Sequence, residues 1–246
     1  MKLTTKLVCL VVALMLLTSV AYATDFVVAT NPEFPPFEFV GDSGEIEGID
    51  ADIINAIIKK IDENNTCVIE AMEFDALIPA LVSGRINVAI AGMSVNEERK
   101  LSVNFTDPYF DAVQAIIVKE GSDITGEADL AGKKIGVQMG TTGDLYVTDN
   151  IEGAVISRFS KGLDAAMDVM NGRLDAVVID AAPAAEFAKV SDTLTVLPEL
   201  LNSGNEQYAI ALPKGEDETL AAFNKALAEL KEDGTIDAIL AKYLAG

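Results

Sequence analysis

The chain has 246 residues, half of them hydrophobic, which is enough for the core of one large or two medium-sized domains. Asp and Glu number 39 against 18 Lys and Arg, and the formal net charge of −21 argues against nucleic acid and anionic membranes as partners. The sequence contains no histidine, which excludes a Ser-His-Asp triad, a Cys-His dyad and the usual zinc sites.

The first 23 residues carry the three parts of a secretory signal peptide. Residues 1–6 are basic, residues 7–20 are almost wholly apolar, and Ala21-Tyr22-Ala23 supplies the small residues of a cleavage site. Cys9 lies near the start of the apolar run rather than at its end, which argues against a lipid anchor. We therefore expect cleavage after Ala23 and a soluble protein in the periplasm or an equivalent extracytoplasmic space.

A proline-containing loop follows the first predicted strand. The apolar residues 26–29 predict the strand, and two adjacent prolines within residues 30–37 fix an extended loop. Asn31 and Phe34 lie on this loop, where Phe34 can either cover an apolar part of a ligand or pack into the core. Isoleucines spaced along one helix face then predict an amphipathic helix over residues 50–61, whose stripe belongs to the core.

The apolar residues 88–90 predict a buried strand that leads to a candidate anion site. Gly92 has no Cβ, so the backbone there can approach a ligand closely. Ser94 or Asn96 can cap the next helix, and Arg99 lies about one turn into that helix, near the positive end of its dipole. This arrangement suits a carboxylate. The alternative is an ordinary surface arginine behind a simple cap.

Two further predicted strands end in polar residues. The strand at residues 134–138 runs into a Gly-Thr turn with Thr141 and Thr142, where a second helix N-terminus can receive an anion; simple capping is the alternative. The buried strand at residues 176–179 ends at Asp180. Open α/β sheets bind ligands at this edge, although Asp180 can cap the following helix instead, or do both.

Strands alternate with helices along the whole sequence, which indicates an α/β fold with open twisted sheets. Residues 74–82 predict one helix, with Gly84 as a plausible stop. Leu163, Met167 and Met170 are spaced i, i+4 and i+7, and this stripe predicts core packing. Two amphipathic helices end the chain, and their positions fit docking on the first domain.

Six sequence blocks carry a resemblance to a known family, and they occur in that family's order. The blocks are FPPFEF (34–39), GIDADIINAI (48–57), FDALIPALVSGR (74–85), AIAGMSVNEERKLSVNFTDPYF (89–110), LAGKKIGVQMGTTG (130–143) and RLDAVVID (173–180). The sequence resembles the polar amino-acid binding proteins of ABC importers, the bacterial extracellular solute-binding proteins of family 3. The blocks extend over nearly all of the chain that follows the signal peptide.

The resemblance implies a two-lobed fold of the type II periplasmic binding protein kind. Two open sheets flanked by helices would be joined by a hinge of two crossover strands. One lobe would comprise residues 24–110 and 208–246, and the other would be inserted as residues 111–207. The implied function is capture of a polar L-amino acid between closing lobes and delivery to an ABC permease, by a monomer without a cofactor.

The resemblance also implies the ligand-binding residues, with no catalytic or metal-binding residue among them. Arg99 would hold the α-carboxylate, helped by Ser94 and Thr142, while Asp180 and the Gly92 carbonyl would hold the α-ammonium. The complete predicted set is Asn31, Phe34, Phe74, Ala91, Gly92, Ser94, Arg99, Gln138, Thr141, Thr142 and Asp180.

Ligand specificity and two alternative functions stay open. Family members that bind basic side chains often carry Asp where this chain has Asn31, which argues against a cationic ligand; Glu33 and the acidic surface favour one mildly. A cyclohexadienyl dehydratase-like enzyme would use Glu33 as a cleft acid. An extracellular sensor domain is the other alternative.

Overall fold

The structure, a computed structural model, describes residues 24–197 and 206–244. The predicted signal peptide lies outside the described residues, as do residues 202–205 of the predicted return crossover. The strands in chain order are β1 (Asp25–Thr30), β2 (Glu33–Phe34), β3 (Glu38–Val40), β4 (Ile46–Glu47), β5 (Thr66–Ala71), β6 (Val88–Ala89), β7 (Val103–Phe105), β8 (Phe110–Ala112), β9 (Gln114–Lys119), β10 (Lys134–Gln138), β11 (Val155–Phe159), β12 (Ala176–Asp180), β13 (Leu194–Val196), β14 (Glu206–Tyr208) and β15 (Ala211–Pro213). The α-helices are α1 (Ile49–Ile61), α2 (Leu77–Val82), α3 (Glu97–Ser102), α4 (Thr142–Asn150), α5 (Gly162–Met170), α6 (Ala181–Ala188), α7 (Asp217–Glu232) and α8 (Thr235–Leu244).

Ten of the strands form two separate five-stranded sheets, which confirms the predicted α/β class with two open sheets. The short strands β2, β3 and β4 pair in two successive antiparallel hairpins. The first sheet has the order β5-β1-β6-β15-β7 and takes its strands from both ends of the described chain. The second has the order β11-β10-β12-β9-β13 and takes its strands from the middle. In each sheet the first three strands are parallel and the other two are antiparallel to their neighbours. We refer to each sheet with its helices as the first and the second lobe.

Two short antiparallel strands connect the lobes. β8 leads from the first sheet towards the second, and β14 leads back; Phe110 pairs with Tyr208 and Ala112 with Glu206. Because side chains alternate along a strand, Glu206 and Tyr208 point to one side of β14 and Gln207 to the other. This small sheet is where the predicted hinge of two crossover strands lies.

The core of the first lobe is organised around α1. Its isoleucine stripe is buried except at Ile61, which is partly buried, and the side chains of α7 and α8, including Phe223 and Ile236, complete the same cluster. Ion pairs on the surface, between Lys60 and Asp233 and between Lys242 and Asp52, join α1 to the C-terminal helices. The predicted docking of these helices on the first lobe is therefore observed.

Two local predictions need correction. A 3-10 turn (Phe74–Ala76) precedes α2 where the sequence indicated a continuous helix. The methionine stripe on α5 is core only in part, since Leu163 and Met170 pack against the core while Met167 is 43% exposed. Spacing of i, i+4 and i+7 marks one helix face, but it does not show how far the neighbouring sheet extends over that face.

Candidate ligand-binding site

All of the predicted ligand-binding side chains lie around one pocket between the lobes. The empty space between its wall atoms, counted out to open solvent, is about 260 Å³. Its wall consists of Asn31, Phe34, Glu38, Phe74, Ala91, Gly92, Ser94, Arg99, Gln138, Thr141, Thr142 and Asp180. Glu38 is the one member that the sequence did not indicate.

Arg99 enters the pocket wall from the first turn of α3. Asn96 caps that helix by accepting from the Arg99 backbone N–H at 2.8 Å, so Asn96 rather than Ser94 is the cap. The guanidinium donates from Nη1 to the Ser94 carbonyl at 2.6 Å and from Nη2 to the Gly140 carbonyl of the second lobe at 2.9 Å. Three of its five N–H groups are left for a ligand.

Burial and neighbouring charges shift the pKa of Arg99 in opposite directions. The side chain is buried, and its guanidinium lies 5.2 Å from the centre of the Phe74 ring. Burial lowers the pKa of Arg99, and the charges of Asp180 and Glu206 oppose that shift. A guanidinium held in this way suits two parallel hydrogen bonds to a carboxylate.

The backbone turn after β6 is held by a buried acid. Gly92 has a φ of +51°, and a Cβ there would lie 2.9 Å from the Phe34 ring. Its N–H donates to Asp50 Oδ2 at 2.8 Å, and the Tyr109 hydroxyl donates to the other oxygen of Asp50 at 2.8 Å. Burial raises the pKa of Asp50 to about 6. From sequence, Asp50 is only a first-turn residue that suits the helix dipole, so this role was missed.

Asp180 ends β12 and faces the pocket. It occupies the N-cap position of α6, but its side chain makes no capping hydrogen bond. Its Oδ1 instead accepts from the Tyr208 hydroxyl at 2.7 Å. Burial, and secondly the charge of Glu206, raise the pKa of Asp180 to about 7.

The two threonines of the second lobe have different roles. Thr141 caps α4 by accepting from the Asp144 N–H, at 3.3 Å, so the capping alternative describes Thr141. The Thr142 hydroxyl instead donates to Glu206 Oε2 at 2.5 Å, and Ser94 from the first lobe donates to the same oxygen at 2.8 Å. Glu206 thus joins polar side chains of both lobes, and the sequence analysis missed it.

Asn31 and Gln138 form a direct bridge between the lobes. Gln138 Nε2 donates to Asn31 Oδ1 at 2.8 Å, and Asn31 Nδ2 donates to the Met72 carbonyl at 3.0 Å. Gln138 Oε1 is buried and has no partner within the described part of the chain. It is therefore an acceptor that a ligand N–H group can satisfy.

Glu38 is the pocket residue that sequence reasoning missed. It is fully buried, and its carboxyl oxygens receive no N–H or hydroxyl donor from residues 24–197 and 206–244. Its hydrogen-bonding neighbour is the carboxyl group of Asp50. Burial, followed by the charges of Asp50 and Asp180, raises its pKa well above the ordinary value. The available signal was an acidic residue between Phe37 and Phe39, at the start of a strand next to the ligand loop.

Glu33 lies outside this pocket wall. Its carboxylate forms an ion pair with Lys161 of the second lobe at 2.6 Å. The acid that the enzyme alternative requires is thus engaged with a lysine across the mouth of the cleft.

In the part of the chain that the structure describes, no helix is both long and apolar enough to cross a membrane. Among the same residues, no group of three or more Cys, Asp or Glu side chains is placed to hold a metal ion.

Comparisons with known proteins agree on one family. The family described as bacterial extracellular solute-binding proteins, family 3, matches residues 26–246. A probable histidine-binding protein of Neisseria gonorrhoeae is 36% identical over 89% of this chain and 82% of its own length. An arginine-binding periplasmic protein of Mannheimia haemolytica is 35% identical over 92% of this chain and 93% of its own length. The solved structure of an ancestral arginine-binding protein bound to arginine superposes with a TM-score of 0.84 at 42% identity, over 89% of this chain and 97% of that one.

Proposed function

The chain belongs to the bacterial extracellular solute-binding proteins of family 3, and we propose that it captures an L-amino acid with a cationic side chain for delivery to an ABC permease. The observation that carries the cationic class is Glu38, a buried carboxyl group at the pocket whose hydrogen-bonding neighbour is another acid, Asp50. Burial favours the uncharged form of Glu38, and a cationic side chain beside it would favour the ionised form by pairing with it.

The charge of the pocket wall supports the same ligand class. The wall contains two acids, Glu38 and Asp180, and one base, Arg99. An α-carboxylate on Arg99 and an α-ammonium on Asp180 pair two of these groups and leave Glu38. A cationic side chain supplies the third pair, and Gln138 Oε1, which no described residue satisfies, accepts a further N–H group.

The names of two relatives point the same way, because they are named for arginine and histidine. Asn31 argued against a cationic ligand because it replaces the Asp that often binds a basic side chain. Glu38 supplies an acid at the same pocket, on β3 rather than on the preceding loop. Within the polar L-amino acids, we therefore favour arginine, lysine, ornithine and histidine.

The remaining parts of the proposal concern architecture and setting. We propose the discontinuous division into residues 24–110 and 208–246 and residues 111–207, which the membership of the two sheets supports. We further propose a monomer in the extracytoplasmic space that binds without turnover. The printed names of the relatives, which are binding proteins, and the ion pair of Glu33 support binding without turnover.

Thermal unfolding in the presence of each of the twenty L-amino acids and ornithine tests this proposal. At about 100 times its dissociation constant, the correct ligand stabilises the folded protein by about 2.7 kcal/mol. We expect arginine or another cationic amino acid to give the largest shift, with calorimetry confirming one site. A largest shift with glutamate or aspartate would contradict the proposal, as would turnover of prephenate or arogenate.

A further inference from the structure

The second crossover strand, β14, does more than lead the chain back to the first lobe. On one face of β14, Glu206 and Tyr208 point towards the pocket residues, and both are buried. On the other face, exposed Gln207 donates to Asp111 Oδ1 of β8 at 2.9 Å. One strand of the hinge therefore contacts the polar pocket wall through two side chains.

A single oxygen of Glu206 collects three donors. Its Oε2 accepts from Ser94 Oγ at 2.8 Å, from Thr142 Oγ1 at 2.5 Å and from Gln114 Nε2 at 3.3 Å. Ser94 belongs to the first lobe, whereas Thr142 and Gln114 belong to the second. All three contacts exist together only when the lobes are close to each other.

These contacts determine which hydrogen bonds the hydroxyl groups of Ser94 and Thr142 can still form with a ligand. A hydroxyl has one proton and two lone pairs, and an ionised carboxylate only accepts. Because Ser94 and Thr142 both donate to Glu206, neither has a proton left for a ligand carboxylate. Gln114 Nε2 also donates to Thr142 Oγ1 at 3.3 Å, which leaves this oxygen one lone pair and Ser94 Oγ two.

Tyr208 acts on Asp180 in a related way. Its hydroxyl occupies one lone pair of Asp180 Oδ1, which keeps the carboxylate in place at the end of β12. The acceptors that β14 orients are therefore Ser94 Oγ, Thr142 Oγ1 and the Asp180 carboxylate, all in the same pocket wall.

We propose that Glu206 is a positioning residue that takes both hydroxyl protons on lobe closure, so that Ser94 and Thr142 accept hydrogen bonds from the ligand α-ammonium. The inference rests on the proposed function, since it concerns the amino-acid site itself. It leaves the α-carboxylate to Arg99 and backbone N–H groups, and so differs from the family resemblance, which implies that Ser94 and Thr142 help to hold the carboxylate. It also makes β14 the element through which closure assembles the ammonium subsite.

The test compares Glu206→Gln with Gln207→Ala, a control on the opposite face of the same strand. The amide that the first substitution introduces can donate, so it no longer requires both hydroxyl protons. Calorimetry with L-arginine should show binding about 10- to 100-fold weaker for Glu206→Gln, the range expected for a charge-assisted hydrogen bond, and a change below about twofold for Gln207→Ala.

Two arginine analogues separate positioning from a general structural effect. Agmatine keeps the amine and lacks the carboxylate, whereas 5-guanidinopentanoate keeps the carboxylate and lacks the amine. We expect Glu206→Gln to weaken agmatine binding by about the same factor as arginine binding and to leave 5-guanidinopentanoate unchanged within about twofold. Equal losses for both analogues would overturn the proposal.

Ligand binding by the wild-type protein shows whether the proposed function has failed, independently of the role of Glu206. Absence of binding of arginine, lysine, ornithine and histidine by the wild-type protein refutes the cationic ligand, and a scattering measurement without amino acid then tests Glu206 alone. We expect a larger radius of gyration for Glu206→Gln than for the wild-type protein, because an amide oxygen accepts these three hydrogen bonds more weakly than a carboxylate does. Equal radii would overturn the role of Glu206 in closure.

Discussion

At the scale of single residues, the pocket is a set of buried ionisable groups with few polar partners among the described residues. Arg99 still has N–H groups to offer, Glu38 has only the Asp50 carboxyl beside it, and Asp180 has its pKa raised to about 7. Arg99 and Asp180 were predictable because each follows a recognisable strand end. Glu38 and Glu206 were not, since their burial depends on chain segments that are distant in sequence.

Replacing Arg99 by alanine tests the proposed carboxylate clamp. We expect binding of L-arginine to lose about 3–5 kcal/mol, because the substitution leaves Asp180 and the ligand carboxylate without their cation. Calorimetry measures this loss. Arg99→Lys keeps the charge but not the fork geometry, so its affinity for L-arginine should lie between those of the wild-type protein and Arg99→Ala. The exposed Arg85→Ala is the matched control, and an unchanged affinity in Arg99→Ala would refute the assignment.

Replacing Glu38 by glutamine tests the cationic ligand class. The variant keeps the shape of the side chain and removes its charge, so arginine should bind roughly 10- to 100-fold more weakly while L-glutamine changes little. Glu45→Gln, an exposed acid of the same hairpin, is the control. Equal losses for arginine and glutamine would indicate a structural effect and remove Glu38 from the specificity site.

Asp180 should make the stability of the ligand-free protein depend on pH. Its pKa rises from 3.8 to about 7 on folding, so between these values the folded protein keeps a proton that the unfolded chain has lost. The free energy of unfolding therefore decreases as pH rises from about 4 to about 7. Asp50, with a pKa of about 6, and Glu38 act in the same direction.

The Asp180→Asn variant isolates this contribution. Urea unfolding at several pH values should show a smaller decrease in stability across that range than in the wild-type protein. Because an α-ammonium favours ionised Asp180, we also expect amino-acid binding to strengthen as pH rises towards about 7. An identical pH dependence in Asp180→Asn would show that Asp180 does not titrate in this range.

At the scale of secondary-structure elements, the hydrophobic periodicity of the sequence predicted helices and strands that the structure contains. The isoleucine stripe of α1, the strand at residues 134–138 and the C-terminal amphipathic helices are all observed. The sequence did not distinguish side chains that serve a helix end from those that serve the pocket. Asp50 and Thr142 both lie in a first helical turn, yet their partners are Gly92 and Glu206.

The start of α1 also holds the loop that carries Phe34. Gly48 has a φ of +127°, and a Cβ there would lie 2.2 Å from the Phe37 carbonyl oxygen. The next two N–H groups, of Ile49 and Asp50, donate to the Pro36 and Phe37 carbonyls at 3.1 and 2.9 Å. Gly48 is therefore the position at which loop and helix meet without room for a side chain.

We expect Gly48→Ala to lower the free energy of unfolding by more than about 2 kcal/mol, because backbone overlap adds to conformational strain. Gly44→Ala is the matched control, since Gly44 also has a positive φ but has no described atom near its missing Cβ. Strain alone should cost about 1–2 kcal/mol there. Urea unfolding compares the two, and equal losses would show that the contact with Phe37 is unimportant.

At the scale of the whole molecule, the site exists because two lobes meet. Arg99 contacts Gly140, Asn31 contacts Gln138, and Glu206 joins Ser94 to Thr142, in each case across the cleft. Residues from separate sequence blocks thus form one pocket. The family resemblance supplied this architecture, whereas composition and periodicity supplied only the α/β class, because neither contains information on contacts between distant segments.

The central claim is that the lobes enclose one amino acid between Arg99 and Asp180, with a cationic side chain directed to Glu38. A crystal structure of the protein grown with L-arginine tests it most directly. We predict the α-carboxylate on the Arg99 guanidinium, the α-ammonium within hydrogen-bond distance of Asp180, and the guanidinium of the ligand at Glu38. Arginine bound outside this pocket, or with its guanidinium away from Glu38, would contradict the account.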